Sequence, residues 1–301
     1  MLRRKFLVLT SGTLAMTTIP SLADSSGPQL ASYYDRHMAL LDGVAYGWVG
    51  RGQPMRMRAG DRQVGVNQDA FFALQSDGQL VRWDAAPGAA TTLMRGAAAF
   101  ASGQSGWFAI DRDRVLWQGG GSLPSPQRIA DDVVHACIGD SADYFIRGDG
   151  TLWVKGLAHR GQYGDGRLTA TGHFVNTAFN AVAVVAHTGH ALYLDSAGAV
   201  MGTGGNRFGP LGAHGLGDKA DRWGQIFEGA RAIATGSRHS VAIRTDNSLW
   251  AWGDGFGTDP RRLREGIAVV AAGDTATIAL GADGSLWQWD AGAGPRPLRR
   301  A

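Results

Sequence analysis

Eight histidines, 26 acidic residues and a single thiol are the side chains through which this 301-residue chain could do acid–base, nucleophilic or metal chemistry. Their arrangement closes most of those routes. Zinc peptidase chemistry needs two imidazoles one helical turn apart with a glutamate beside the first, HExxH, whereas the only glutamates, Glu228 and Glu265, follow Phe227 and Arg264. Cys137 stands alone, so thiolate zinc sites, iron–sulfur clusters and intramolecular disulfides cannot be assembled, and within VHACIG it reads as a buried small hydrophobe. A serine nucleophile elbow reads GxSxG, and Gly103-Gln104-Ser105-Gly106 falls one residue short of it. The runs Gly202-Thr203-Gly204-Gly205 and Gly253-Asp254-Gly255-Phe256-Gly257 resemble phosphate loops. Each follows a strand pattern and precedes no helix, so the aligned N–H groups that would hold a phosphate are missing. No metal, cofactor or catalytic residue is expected.

The carboxylates point to turns instead. Asp77, Asp113, Asp149, Asp246 and Asp283 sit between short apolar runs, next to Gly or Asn in four cases, where a short acidic side chain can bond its own backbone two residues on. His37, His190 and His239 recur at one position of a longer pattern, which suits a shared hydrogen bond between strands.

That pattern organises the chain. An apolar run is followed by Gly and two variable residues, a short apolar strand, an Asp-Gly turn, and a second strand rich in Trp. AIATGSRHSVAIRTDNSLWAWG (232–253) and VVAAGDTATIALGADGSLWQWD (269–290) are the clearest copies. Taking the residue before the first aromatic slot as a marker gives Ala45, Leu80, Leu116, Leu152, Val200, Leu249 and Leu286, at spacings of 35, 36, 36, 48, 49 and 37. Seven units of about 40 residues predict an all-β, seven-bladed β-propeller, since four short strands and their turns take that length. The 45 glycines and the near absence of Lys and Glu fit a turn-rich chain without long exposed helices. Trp250 with Trp252, and Trp287 with Trp289, share a strand face and are expected to pack between blades. Gln29–Tyr33 and 295–298 both look like strands that could complete a shared seventh blade.

The run of apolar pair, Ala-Ala-Gly or Ala-Thr-Gly, two residues, His-Ser-apolar, then Asp-x-x-Leu-Trp-x-Trp-Gly resembles the regulator of chromosome condensation repeat, a seven-bladed propeller family. The resemblance covers nearly all of residues 24–301. GLAHRGQYGDGR (156–167) and GGNRFGPLGAHGLGDK (204–219) are similar to that family's Asn-x-x-Gly-Gln-Leu-Gly-x-Gly loop, and the other five units are trimmed. Such trimming is more like the bacterial, secreted members, one of which inhibits β-lactamases, than the nuclear ones. A WD-repeat reading rests on Trp83-Asp84 and Trp289-Asp290 alone and lacks the Gly-His opening.

The two long loops break the repeat symmetry, and a repeat protein places specific sites where symmetry breaks. They offer His159, Arg160, Tyr163, Arg167 and Phe174 from one, and Arg207, Phe208, His214, Arg222 and Trp223 from the other. Arg, Tyr and Trp are the residues that dominate protein interfaces. These ten are the expected partner-binding residues.

Residues 1–23, MLRRKFLVLTSGTLAMTTIPSLA, read as a cleavable export signal: a twin-arginine-like RRKFL, a mildly apolar stretch too short to span a bilayer, and small residues at 21 and 23. Cleavage would leave one propeller domain, 24–301. The formal charge of +3 comes from Arg3, Arg4 and Lys5, so residues 24–301 are neutral and nucleic acid is not an expected partner. The expected function is an exported, periplasmic or secreted scaffold that binds a protein, as an enzyme inhibitor or regulator. The rival is an envelope carbohydrate binder or polysaccharide-active protein, for which Trp223 with Asp218 and Asp221 is the one local cluster.

Overall fold

The computed structural model describes residues 27–84, 89–104, 106–121, 123–214 and 217–299; the export signal assigned to 1–23 lies outside them. Among the described residues 28 strands form seven sheets, each an antiparallel meander of four strands in chain order. The blades run over 29–59, 61–94, 97–130, 133–178, 181–227, 230–264 and 267–298. The first strand of every blade packs on the first strand of the next, and Gln29–Tyr33 of blade 1 packs on Ile267–Ala272 of blade 7, so the ring closes around an axis lined by first strands. Those strands are built of small and β-branched residues, AVAVVA in blade 5 and IAVVAA in blade 7, because seven backbones converge there and leave little side-chain volume.

All seven marker residues are buried, from Ala45 to Leu286, so the period read from the sequence is the period of the fold. Each marker follows the turn between the second and third strands, and the turn explains the Asp-x-Ser/Thr-Leu-Trp pattern. In blade 6, Asp246 Oδ1 accepts from the Ser248 N–H at 2.9 Å and from its hydroxyl, and Ser248 Oγ accepts from Trp250 Nε1 at 2.8 Å. Blade 7 repeats this with Asp283, Ser285 and Trp287, and blade 4 with Asp149, Thr151 and Trp153. These bonds favour the ionised carboxylate and hold Asp149, Asp246 and Asp283 below the usual range. The turn also demands a left-handed residue, supplied by Gly150, Asn247 and Gly284 at φ +83°, +65° and +80°.

Between blades the aromatic residues pack as expected. Trp252 of blade 6 is fully buried and stacks on Phe227 of blade 5 with ring centroids 5.4 Å apart. The shared seventh blade is overturned. Gln29–Tyr33 is the innermost strand of blade 1 and Arg296–Leu298 the outermost strand of blade 7, each paired within its own sheet. Alternation and strand propensity identified both segments as strands, but the choice of partner is a tertiary one. The ring is sealed by side-chain packing, by the Asp274 N–H donated to Tyr34 O at 3.0 Å, and by an ion pair, Arg51 Nε to Asp290 Oδ2 at 2.8 Å, all joining blades 1 and 7.

Candidate partner-binding face

In a four-stranded meander the first–second and third–fourth connections share one face, here the loop face. The backbone ties them: Leu157 N–H donates to Ser141 O in blade 4, Gly205 to Gly189 in blade 5, Asp254 to Arg238 in blade 6, and Ala291 to Thr275 in blade 7. Both long loops are third–fourth connections of adjacent blades and lie on this face. They fold alike. Gly161 and Gly164 in blade 4, and Gly209 and Gly212 in blade 5, take φ between +60° and +87°, and their N–H groups bond carbonyls three residues back. That geometry is why Gly recurs every third residue in the two motifs.

Each loop plugs one side chain into the seam with the following blade. Tyr163 is fully buried between blades 4 and 5, its hydroxyl donating to Gly156 O at 3.0 Å and accepting from Thr171 N–H at 3.0 Å; Leu211 is the buried counterpart between blades 5 and 6. The second loop is latched at Pro210, whose carbonyl accepts from Ser240 Oγ and Trp252 Nε1 of blade 6, both at 2.7 Å. Asn206 holds it from within, accepting the Leu211 N–H at 2.9 Å and donating to Gly212 O and His214 O.

The ten expected residues therefore divide. His159, Arg160, Arg167, Arg207, Phe208 and Arg222 are exposed. Tyr163 has no surface for a partner, and its place is that of a structural plug. Phe174 is half-buried against Phe145, centroids 4.9 Å apart. His214 donates from Nε2 to Arg222 O at 2.9 Å, and Trp223 lies edge-on to Tyr193 at 4.8 Å and covers Gly164, where a Cβ would meet Nε1 at 2.4 Å. Asp218 and Asp221 use their backbone carbonyls, to Asn206 N–H and Gly166 N–H. The half-buried Trp223 thus offers no open sugar platform with them.

The structure also joins the two loops, by Gly166 N–H to Asp221 O at 2.8 Å and Trp223 N–H to Gly164 O at 3.0 Å. The most exposed aromatic ring of the ten belongs to Phe208, at 43%, and it carries Arg207 and Arg238 guanidinium carbons 5.7 and 4.7 Å from its centroid. Arg238 comes from the first–second loop of blade 6, where sequence reading had not looked. Arg160 extends over Gly189 and Gly205 on the same face, within 3.5 Å of where a Cβ would stand at either.

Two further features escape sequence reading. Tyr33 and Tyr34 of blade 1 both donate to Asp140 of blade 4, and Asp140 also accepts from Thr188 of blade 5 at 3.0 Å. His187 of blade 5 stacks on Tyr33 at 4.9 Å and approaches Ser237 of blade 6 at 3.2 Å. Blades 1 and 4 are as far apart as a ring of seven allows, so this polar plug crosses the axis. Burial, reinforced by Asp140, raises Tyr33 far above its usual range and keeps its hydroxyl a donor. Two of the seams that follow a trimmed loop are open on this face. One groove of about 490 Å³ lies between blades 2 and 3, walled by Phe72 and Trp107, and another of about 340 Å³ between blades 7 and 1.

The comparisons with known proteins agree with this geometry. A family model for the regulator of chromosome condensation (RCC1) repeat matches residues 230–256, blade 6 from its innermost strand to its third–fourth loop. Prp20p of Saccharomyces cerevisiae, a yeast RCC1, superposes with a TM-score of 0.70 over 83% of this chain and 81% of that one, at 15% identity. Blade 6 thus resembles the RCC1 repeat, and the chain shares the RCC1 propeller fold. The X-linked retinitis pigmentosa GTPase regulator homolog of Caenorhabditis elegans is 27% identical over 211 residues, which is 67% of this chain and 13% of that protein. The chain thus spans about an eighth of the curated relative it matches. The ectodomain of the Arabidopsis thaliana receptor kinase ACR4 shares the fold with a TM-score of 0.58 over 94% of this chain and 98% of that one, at 13% identity.

Blade 6 supports the family match because its His slot is intact. His239 Nε2 lies 2.9 Å from Thr277 Oγ1 of blade 7, and His190 Nε2 3.1 Å from Ser240 Oγ of blade 6, so each of these two imidazoles bonds the next blade. His37 departs from this, bonding Ser32 of its own blade at 2.8 Å. Among the described residues no helix is long and apolar enough to cross a membrane.

Proposed function

We propose that this RCC1-type propeller is an exported, non-enzymatic scaffold that binds a protein through its loop face, centred on the two long loops, and thereby regulates or inhibits that partner in the cell envelope. The observation that carries it is Phe208, exposed between Arg207 and Arg238 on loops anchored in the seams beneath them. An aromatic ring flanked by guanidinium groups on a pre-organised loop is the composition of an interface anchor. The partner surface it suits presents an apolar pocket rimmed by carboxylates. Among related folds, Prp20p is described as binding Gsp1p and histones, and Kap60 has been seen bound to yeast RCC1 (Prp20), which supports a protein as the ligand class. Export rests on residues 1–23 and separates this chain from a nuclear role.

The test is an affinity capture from envelope extract with residues 24–301, beside the triple variant Arg207→Ser, Phe208→Ser, Arg238→Ser and a control altered on the opposite face at Asp77 and Asp283. A protein retained by the parent and the control and lost by the triple variant is the expected result. Identical retention by all three forms would remove the loop face as the binding site.

A further inference from the structure

The groove between blades 7 and 1 differs in chemistry from the arginine-flanked ring. We propose that it is a receptor site for an alkyl-guanidinium or alkyl-ammonium group. Three carboxylates, Asp35, Asp274 and Asp290, line its volume of about 340 Å³, against one guanidinium, Arg51. Asp290 is already occupied, by Arg51 on Oδ2 and by Gln288 Nε2 at 2.7 Å on Oδ1. The side chains of Asp35 and Asp274 make no hydrogen bond or ion pair among the described residues, and Asp274 stands beside Tyr34, whose carbonyl accepts its N–H at 3.0 Å. Two unneutralised carboxylates and a phenol ring around one recess favour a cation.

The second observation is His37, which lines the groove, has no exposed surface, and has no partner at Nε2. Its equivalents His190 and His239 spend Nε2 on a hydroxyl of the next blade. His37 cannot. The hydroxyl position is Phe71 in blade 2, which offers no polar atom. Burial keeps this imidazole neutral, with the Asp290 carboxylate and the Arg296 guanidinium of blade 7 acting on it in opposite senses. In the tautomer that donates Nδ1–H to Ser32 Oγ, the unpartnered Nε2 carries a lone pair. A ligand N–H satisfies it.

The cation could be a free small molecule or a side chain of a partner protein, so the test uses agmatine, its uncharged analogue butylurea, and the peptide Gly-Gly-Arg-Gly-Gly, titrated into the full propeller by calorimetry and by NMR of the His37 ring nitrogens. Saturable agmatine or peptide binding that shifts Nε2, is absent with butylurea, and weakens about tenfold in Asp274→Asn is the expected result. A tighter peptide identifies a partner side chain, and tighter agmatine a free cation. No saturation with either cation, equal binding of butylurea, or an unchanged affinity in both Asp274→Asn and Asp35→Asn, each with an unaltered melting temperature, would overturn the proposal.

Discussion

The latch on the second long loop yields a quantitative prediction. Pro210 O is buried and accepts two hydrogen bonds, from Ser240 Oγ and Trp252 Nε1, each 2.7 Å long. Trp252→Phe keeps an apolar ring against Phe227 but deletes the N–H, costing about 2 kcal/mol from one lost bond and the smaller ring. Ser240→Ala deletes the other donor and strips His190 Nε2 of its partner, for about 2 kcal/mol. In either single variant the carbonyl keeps one donor. In the double variant it has none, and the desolvation of an orphaned buried C=O adds about 1 kcal/mol, so the double should lose about 5 kcal/mol, more than the two singles together. Urea unfolding of the four proteins, with equal slopes, measures this. Amide exchange at Leu211, which lies inside the latched loop, should accelerate in the same order. An excess below about 0.3 kcal/mol would show the carbonyl to be satisfied some other way and refute the latch.

Removing 24–34 takes away the innermost strand of blade 1 and the ring contact with blade 7, so the melting temperature should fall sharply; an unchanged melt would show that closure does not depend on that strand. Tyr33→Phe should cost roughly 1.5–3 kcal/mol by breaking a buried bond to Asp140 across the axis, read as a fall in unfolding free energy that Tyr34→Phe matches only in part. Gly284→Ala forces a Cβ into φ +80° and should cost about 1 kcal/mol in thermal unfolding. Burial holds His37 and His239 near 4 and His135 and His190 near 3. Below the ordinary pKa of about 6.5 the unfolded chain takes up protons that these imidazoles refuse, so their contribution is complete above that pH and is lost as pH falls toward 4. Asp61 and Asp143, raised by burial to about 6 and about 7, oppose this: their contribution is present in acid and declines as pH rises. Burial lowers His187 as well, so with five imidazoles against two carboxylates stability should drop between pH 6.5 and 4.5, and His239→Gln should flatten the slope by up to about 1 kcal/mol per pH unit. An equal slope would mean that His239 protonates in the folded state.

Sequence alone determined the number of blades and the turn chemistry, because these are local: Asp, Ser or Thr, Leu and Trp within five residues complete a turn by themselves, and seven marker residues at spacings of 35 to 49 count the sheets. It also placed the two long loops, since an insertion is visible in the spacing. It misjudged what depends on neighbours far along the chain. Tyr163 has the composition of an interface residue and the environment of a core residue, because the glycines around it fold the loop inward over blade 5. The closing strands were recognised as strands and assigned to one blade, although each is satisfied within its own sheet. Arg238 joined the exposed face because a loop 30 residues after Phe208 passes beneath its ring. His37 is the sharpest case: the slot repeats in the sequence, but the hydroxyl that partners it in blades 5 and 6 is supplied by the next blade, and blade 2 has Phe71 there. Only the tertiary structure reports that loss, since the partner lies 38 or 50 residues along the chain and meets the ring across a blade seam.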